Sequence, residues 1–231
     1  MGADDMVGFS VALETTDLFI LAERDLTSEA TEAAAKARRT VELWIGRVPE
    51  FASALAPLPC PVDAPRMIRA MSAAGEAAQV GPMAAVAGAV AESVARDLSE
   101  LSPNVIVENG GDTFIVGTQD RTVAIFAAKS PLSNRIGLTI PAARQPLAIC
   151  TSSGTVGHSL SLGKADALVI IGEDAALADA VATAAANRAS SPADLAEAVK
   201  WASAIEGIQH VVAIIGDQMA AWGDYELKRL P

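Results

Sequence analysis

A helix of alanine, leucine and valine carries a short polar stripe, and few folds can accommodate such a helix. Between residues 175 and 186 every side chain is apolar except Asp179 and Thr183, and Asn187 continues the same four-residue spacing. A helix places these three groups along one side. A helix that is apolar on nearly all sides is buried, and a buried carboxylate is costly unless it is paired or binds a metal. The stripe therefore requires a partner elsewhere in the chain.

The segment before this helix is rich in small polar residues. It begins with Thr151-Ser152-Ser153-Gly154, and one of the two histidines of the chain, His158, follows closely. Residues 167–171 then form an apolar run of strand length, and Asp174 is a suitable N-cap for the helix. A histidine among small polar residues just after a turn is unusual in a core, so His158 is our candidate catalytic acid or base.

The order of the remaining elements predicts the fold class. Two strands in residues 7–22 precede three grouped helices, and a strand meander, a strand–helix–helix unit and closing strands follow. Helices that are grouped rather than alternating with strands indicate an α+β fold with a largely antiparallel sheet. We expect Thr27 or Ser28 to cap the first helix, Arg38 to lie on a solvated basic edge, and Asn109-Gly110 to form a two-residue hairpin turn.

Composition limits the function and the surroundings of the chain. Its 231 residues suffice for a single domain spanning 1–231, or for two subregions, 1–60 and 61–231, linked by the proline-rich residues 49–65. A net charge of −11 argues against nucleic acid and anionic membranes as partners. Two cysteines and no basic-then-apolar N-terminus indicate a reduced, cytoplasmic protein. Small-residue helices and 51% hydrophobic residues favour a homo-oligomer.

Three pieces of the sequence, in this order, resemble the ApbE family of FAD:protein FMN transferases. They are Gly110-Gly111-Asp112 after a strand, the turn Thr151-Ser152-Ser153-Gly154, and the pattern A-D-x-x-A-T at residues 178–183. The phrases GPMAAVAGA and CTSSGTVGHSLSLGKADA are similar to the short cytoplasmic branch of ApbE-like proteins rather than to the transferases themselves. The chain departs from the transferases at Ala85, Val90 and Glu108, and it lacks their long insert ending in His-x-x-Asp-Pro.

The resemblance implies an ApbE-like (T-fold-like) architecture and a flavin site. In that family the Asp and Thr of A-D-x-x-A-T hold magnesium at the FAD diphosphate, which assigns Asp179 and Thr183 to a metal. Cofactor-binding roles follow for residues of the other motifs: Gly81, Met83, Asn109, Gly110, Gly111, Asp112, Thr151, Ser152, Ser153 and Gly154. The implied activities are FMN transfer and diphosphate hydrolysis, with Mg²⁺ and FAD or FMN as cofactors.

The physical chemistry of the residues leaves alternatives open beside this resemblance. Mg²⁺ prefers oxygen ligands and usually takes one or two protein groups plus phosphate oxygens, and glycine N–H groups can cradle an anion. The same Asp179 could instead cap or bond a neighbouring backbone, for example in the loop of Ser153. Three hypotheses result: an Mg-dependent enzyme of the flavin-transferase type, a non-catalytic cofactor-binding module, and a structural oligomeric subunit with a degenerate pocket.

Overall fold

The structure, a computed structural model, describes residues 5–154 and 163–231. Its helices are α1 (Thr27–Arg47), α2 (Arg66–Ala78), α3 (Val86–Ser99), α4 (Ala175–Ala186) and α5 (Leu195–Ser203). Its strands are β1 (Val7–Leu13), β2 (Thr16–Ala22), β3 (Val105–Asn109), β4 (Asp112–Val116), β5 (Arg121–Ala124), β6 (Ile136–Ile140), β7 (Leu147–Ser152), β8 (Ala167–Gly172), β9 (Ile208–Ile215), β10 (Gln218–Gly223) and β11 (Leu227–Arg229). None of these helices is long and apolar enough to cross a membrane.

The described strands form two antiparallel sheets. The larger has eight strands in the order β1-β2-β3-β4-β7-β8-β9-β10, and the smaller has three in the order β11-β6-β5. Every strand pair in both sheets is antiparallel. The predicted α+β class with a mostly antiparallel sheet is thereby confirmed. The small sheet and β11 were not anticipated from the sequence.

Alternation along the strands divides the core into two layers. On β3, Val105 and Val107 belong to the buried cluster beneath the helices, whereas Ile106 between them belongs to the cluster beneath the small sheet. Successive side chains of a strand point to opposite faces, so the large sheet has a helix-covered face and a face covered by the small sheet. Any site built from consecutive strand residues is therefore divided between two sides of one sheet.

Several local expectations require correction. Helix α1 has Leu26 at its N-cap without a side-chain hydrogen bond, and the carboxylate of Asp25 serves instead, accepting from Thr27 N–H at 2.9 Å and Thr27 Oγ1 at 2.6 Å. The β3–β4 hairpin turns at Gly110 and Gly111, one residue later than predicted, because Asn109 already pairs with Asp112. Both glycines have positive φ, 63° and 106°, which only glycine adopts readily.

Arg38 is also not on a solvated edge. Its side chain is only 16% exposed. The guanidinium donates to the hydroxyls of Thr15 and Thr16 and to the carboxylates of Glu14 and Glu42. It thereby ties the turn between β1 and β2 to helix α1. Position on the helix wheel predicted exposure, but the hairpin folds back over that side of α1.

Candidate functional site

Helices α3 and α4 cap each other at the point where they cross. The backbone N–H of Gly88, in the first turn of α3, donates to Asp179 Oδ2 of α4 at 2.9 Å. In return, the N–H of Ala175, the first residue of α4, donates to Glu92 Oε2 of α3 at 2.9 Å. The first N–H groups of a helix have no partner within it, and each helix supplies a carboxylate to the other. Asp179 thus has a backbone partner, and that partner belongs to α3.

Close contact at this crossing depends on Gly88. A Cβ built at that position would lie 2.4 Å from Ala175 O and 2.9 Å from Asp179 Cβ. No side chain other than hydrogen fits there without displacing α4. The small residues of α3 therefore serve helix packing at this point, and they bring the N-terminus of α3 directly onto the Asp179 carboxylate.

A second buried carboxylate, Asp112, lies beside the first. It starts β4 on the helix-covered face, where it pairs across strands with Cys150. Asp112 Oδ1 has no hydrogen-bond partner within the described part of the chain. Burial, reinforced by the neighbouring Asp179 charge, raises the pKa of Asp112 well above its usual value. Two carboxylates that face each other away from water cannot both ionise cheaply.

The pKa of Asp179 is also raised by burial. Burial raises it to about 7, while the hydrogen bonds from the Gly88 and Ala87 N–H groups act in the opposite direction by favouring the charged form. At neutral pH this carboxyl is close to the midpoint of its titration. A cation placed between Asp179 and Asp112 would lower both pKa values, because it supplies the opposite charge that the pair lacks.

Two hydroxyl residues and a thiol complete the cluster under α4. Ser152 and Thr183 are each 8% exposed, and Ser152 Oγ has no hydrogen-bond partner in the described chain. Cys150 Sγ donates to Ala175 O at 3.6 Å. Burial and then the Asp112 charge raise the pKa of this thiol well above its usual value. Cys150 therefore stays protonated and is a poor nucleophile.

The donor set fits a hard cation that retains other ligands. Within residues 5–154 and 163–231 no group of three or more His, Cys, Asp or Glu side chains is arranged to hold a metal. Mg²⁺ does not need such a group, since it takes one or two carboxylates and completes its shell with water and phosphate. The unpartnered oxygen of Asp112, together with Asp179 and two buried hydroxyl residues, meets that requirement. We call these four residues, Asp112, Ser152, Asp179 and Thr183, the acidic cluster.

A large cavity lies on the opposite face of the sheet. It has a volume of about 530 Å³ and is bounded by the small sheet and the large one. Four predicted cofactor-binding residues line it: Gly110, Gly111, Thr151 and Ser153. Much of the remaining wall is apolar, with Phe19, Ile149 and Val169 among its residues. The Gly111 N–H donates to Glu108 Oε1 at 2.6 Å, so a carboxylate already occupies part of the predicted anion cradle.

A smaller cavity of about 270 Å³ lies on the helix-covered side. Met83 and Asn109 line it, together with Ala87 and Arg38. Asn109 Nδ2 donates to Ala87 O at 3.0 Å, one residue before the N–H that donates to Asp179. Asn109 therefore lies next to the backbone that binds Asp179, Met83 lines the same cavity, and the Gly110–Gly111 turn that follows Asn109 lines the larger one.

The last predicted residues have other surroundings. A Cβ at Gly81 would meet Ala54 O at 1.7 Å, and one at Gly154 would meet Gly163 O at 2.1 Å. These two glycines allow close backbone packing in the structure. His158 lies outside the described residues. The predicted site residues thus fall into the acidic cluster, the two cavities and two packing positions, rather than into one pocket.

The sequence did not predict the hydrogen bonds and contacts that Glu92, Glu108 and Gly88 make. The sequence contained a signal for two of them. In α3, Glu92 follows Gly88 by four residues, and in α4, Asp179 follows Ala175 by the same spacing. Each helix therefore has a small residue with an acid one turn later. That repeated spacing identifies a reciprocal crossing once the helices are known to touch. Glu108 carried no such signal, because its role depends on the conformation of the neighbouring turn.

Comparison with known proteins agrees with this fold. The family described as "AbpE bacteria" matches residues 2–220. A UPF0280 protein of Methanocella arvoryzae is 39% identical over 212 residues, covering 91% of this chain and 86% of that protein. A UPF0280 protein of Methanopyrus kandleri is 40% identical over 219 residues, covering 92% and 88%.

Solved structures give the same result at lower identity. The ApbE protein of Thermotoga maritima superposes with a TM-score of 0.60 at 12% identity, covering 93% of this chain and 96% of that one. A mutant of the flavin transferase ApbE of Vibrio cholerae has a TM-score of 0.59 at 12% identity, covering 94% and 96%. Such identities establish the fold alone. Together with the family match and the relatives, they show that this chain belongs to the ApbE-like superfamily, in its UPF0280 branch.

Proposed function

We propose that the protein binds a flavin or another diphosphate-bearing cofactor together with Mg²⁺. The observation that carries this proposal is the unpartnered buried oxygen of Asp112 beside Asp179. Asp112, Asp179 and Thr183 would hold the cation, which in turn would neutralise the charge of the diphosphate. The names of the structural neighbours, which are flavin transferases, support flavin as the first ligand to test.

Charge makes the proposed binding strictly cation-dependent. Asp112, Asp179 and Glu108 all lie around the Gly110–Gly111 turn or directly beneath it. Without a cation these acidic groups offer a diphosphate no attractive charge, and each of them that is ionised repels it. Mg²⁺ suits this arrangement because it binds carboxylate and phosphate oxygens at once.

The two cavities support a ligand longer than a single ring. Their volumes, about 530 and 270 Å³, fall together within the usual range of roughly 300–1,000 Å³ for small-molecule sites. In this proposal the apolar cavity takes the flat ring system and the diphosphate crosses the glycine turn beside the acidic cluster. Glu108 would release the Gly111 N–H to the incoming phosphate.

A non-catalytic role is the second candidate, and the reciprocal capping favours it. Asp179 is engaged by the N-terminus of α3, so its charge has a use in the fold without any reaction. FMN transfer or diphosphate hydrolysis would require an acid or base, for which His158 remains our candidate. Turnover of FAD to FMN or AMP by the purified protein separates these two functions.

Ligand binding is tested by thermal shift with three probes, each with and without Mg²⁺. FAD carries both ring and diphosphate, ADP carries only the diphosphate, and FMN carries the ring with one phosphate. We expect stabilisation by FAD with Mg²⁺, a smaller effect of ADP with Mg²⁺, and none without the cation. Asp112→Asn should abolish the Mg²⁺ requirement or the binding, whereas the exposed Asp174→Asn should change neither. Equal shifts with and without Mg²⁺ would contradict the proposal.

A further inference from the structure

Strand β10 forms one edge of the eight-stranded sheet and is exposed along its length. It pairs with β9 in an unbroken antiparallel register from Gln218 to Gly223. Five of its six residues are exposed and the sixth is half-buried. Met219 is 42% and Trp222 44% exposed, on opposite faces of the strand. The outer side of β10 thus presents backbone hydrogen-bonding groups flanked by large apolar side chains.

This edge carries none of the features that keep sheet edges apart. Its sequence, QMAAWG, has no lysine, no other charged residue and no proline, and its pairing with β9 has no bulge. Exposed edge strands without such protection pair readily with another strand. We propose that β10 pairs antiparallel with β10 of a second copy of this chain, which joins the two large sheets into one.

The register supports a symmetric pair. A two-fold axis perpendicular to the sheet joins the two copies so that the helix-covered faces of both lie on the same side. Residues opposite each other across the new strand pair must therefore belong to the same face. With the axis at Ala220, Met219 faces Ala221 of the second copy and Gln218 faces Trp222. The acidic neighbours, Asp217 and Asp224, then face glycines rather than each other.

The opposite edge of the sheet, β1, is the alternative surface. It is also uncharged, but its apolar side chains are partly used by its own core: Val11 is 4% exposed, and Phe9 and Leu13 pack against the helix-side cluster. Only Val7 among its large side chains is strongly exposed, at 43%. Strand β10 has two such side chains and less cover, so the self-pairing is assigned to β10.

Light scattering of the purified full chain tests this, with one lysine placed on each edge. Ala221 and Ser10 are both exposed, so neither lysine should disrupt the fold of the single chain, as circular dichroism would show. We expect a wild-type mass of about twice 23.7 kDa, a dimer for Ser10→Lys, and a monomer for Ala221→Lys.

A second measurement covers the case in which Ala221→Lys fails to fold. Amide exchange of the wild type should be slow in β10 at high protein concentration and faster after dilution, whereas exchange in β9 should not change. A monomeric wild type, a dimeric Ala221→Lys, a monomeric Ser10→Lys or concentration-independent exchange in β10 would each overturn the assignment.

Discussion

Replacing Asp179 by asparagine separates the charge of this side chain from its shape. Burial raises its pKa from 3.8 to about 7. One pKa unit corresponds to about 1.4 kcal/mol, so the ionised form costs on the order of 4 kcal/mol in the folded protein. Asparagine removes that cost, and its carbonyl oxygen can still accept from Gly88. Its N–H₂ group, however, then faces a backbone donor, a loss of roughly 1–3 kcal/mol.

The sign of the effect therefore depends on pH. Because the folded-state pKa is raised, the folded protein binds more protons than the unfolded chain between about pH 4 and pH 7, and the stability contributed by this group falls as pH rises through that window. At about pH 8 the variant should be more stable than the wild type by roughly 1–3 kcal/mol. At about pH 5 the carboxyl of the folded wild type is already protonated. There the variant should be as stable as the wild type or less stable by roughly 1 kcal/mol.

Urea unfolding at both pH values, in EDTA and in Mg²⁺, measures these differences. In the wild type, Mg²⁺ should raise the free energy of unfolding at pH values above the pKa of Asp179. At lower pH it should have little effect, because protons and the cation compete for the carboxylate. The variant should lose that response. Asp174→Asn on the same helix is the matched control: it caps α4 from an exposed position, and asparagine caps equally well.

Two results would refute this reasoning. A stability difference that is the same at both pH values would mean that the buried charge is not the cause. A loss of several kcal/mol at the higher pH, with an unaltered Mg²⁺ response, would mean that Asp179 only caps α3. The first result would reject the electrostatic argument, and the second would reject the metal site.

Three further predictions concern packing, reactivity and the proposed acid or base. Gly88→Ala should lower the free energy of unfolding by roughly 1–3 kcal/mol, whereas Gly46→Ala, on an exposed position of α1 with nothing within 4 Å, should raise it by roughly 0.5–1 kcal/mol; urea unfolding compares the two. A maleimide should label Cys60 in the native protein and the buried Cys150 only after unfolding, as mass spectrometry would show. His158→Ala should keep the wild-type melting temperature while ligand affinity or turnover falls, and a collapsed melting temperature would make this histidine structural.

Local patterns in the sequence were sufficient for most of the elements. The α4 helix and its Asp174 cap were both predicted and are present. Each depends on residues within a few positions of one another, and short-range hydrogen bonds and helical periodicity are encoded at that distance. The grouping of helices and strands likewise predicted the α+β class.

The partner of the polar stripe could not be predicted from residues near it in the sequence. The sequence required one for Asp179, because a carboxylate on an apolar helix must be satisfied, but Gly88 lies 91 residues away. Which backbone meets that carboxylate depends on where α3 crosses α4, and this in turn depends on a single missing Cβ. The prediction that Arg38 is solvated was wrong for a similar reason, since the hairpin that covers it comes from another part of the chain.

The division of the predicted site is a property of the tertiary structure alone. Motif order placed Thr151, Ser152 and Ser153 in one run, yet Thr151 and Ser153 line the large cavity while Ser152 is buried beneath the helices. Only the packing of the helices and the small sheet decides what each face of the strand meets. The sequence by itself determined that a buried acid exists and that it needs a counterpart. The structure decided that Asp112 lies beside it, because two segments that are distant along the chain are brought together only when β4 pairs with β7 and α4 covers both.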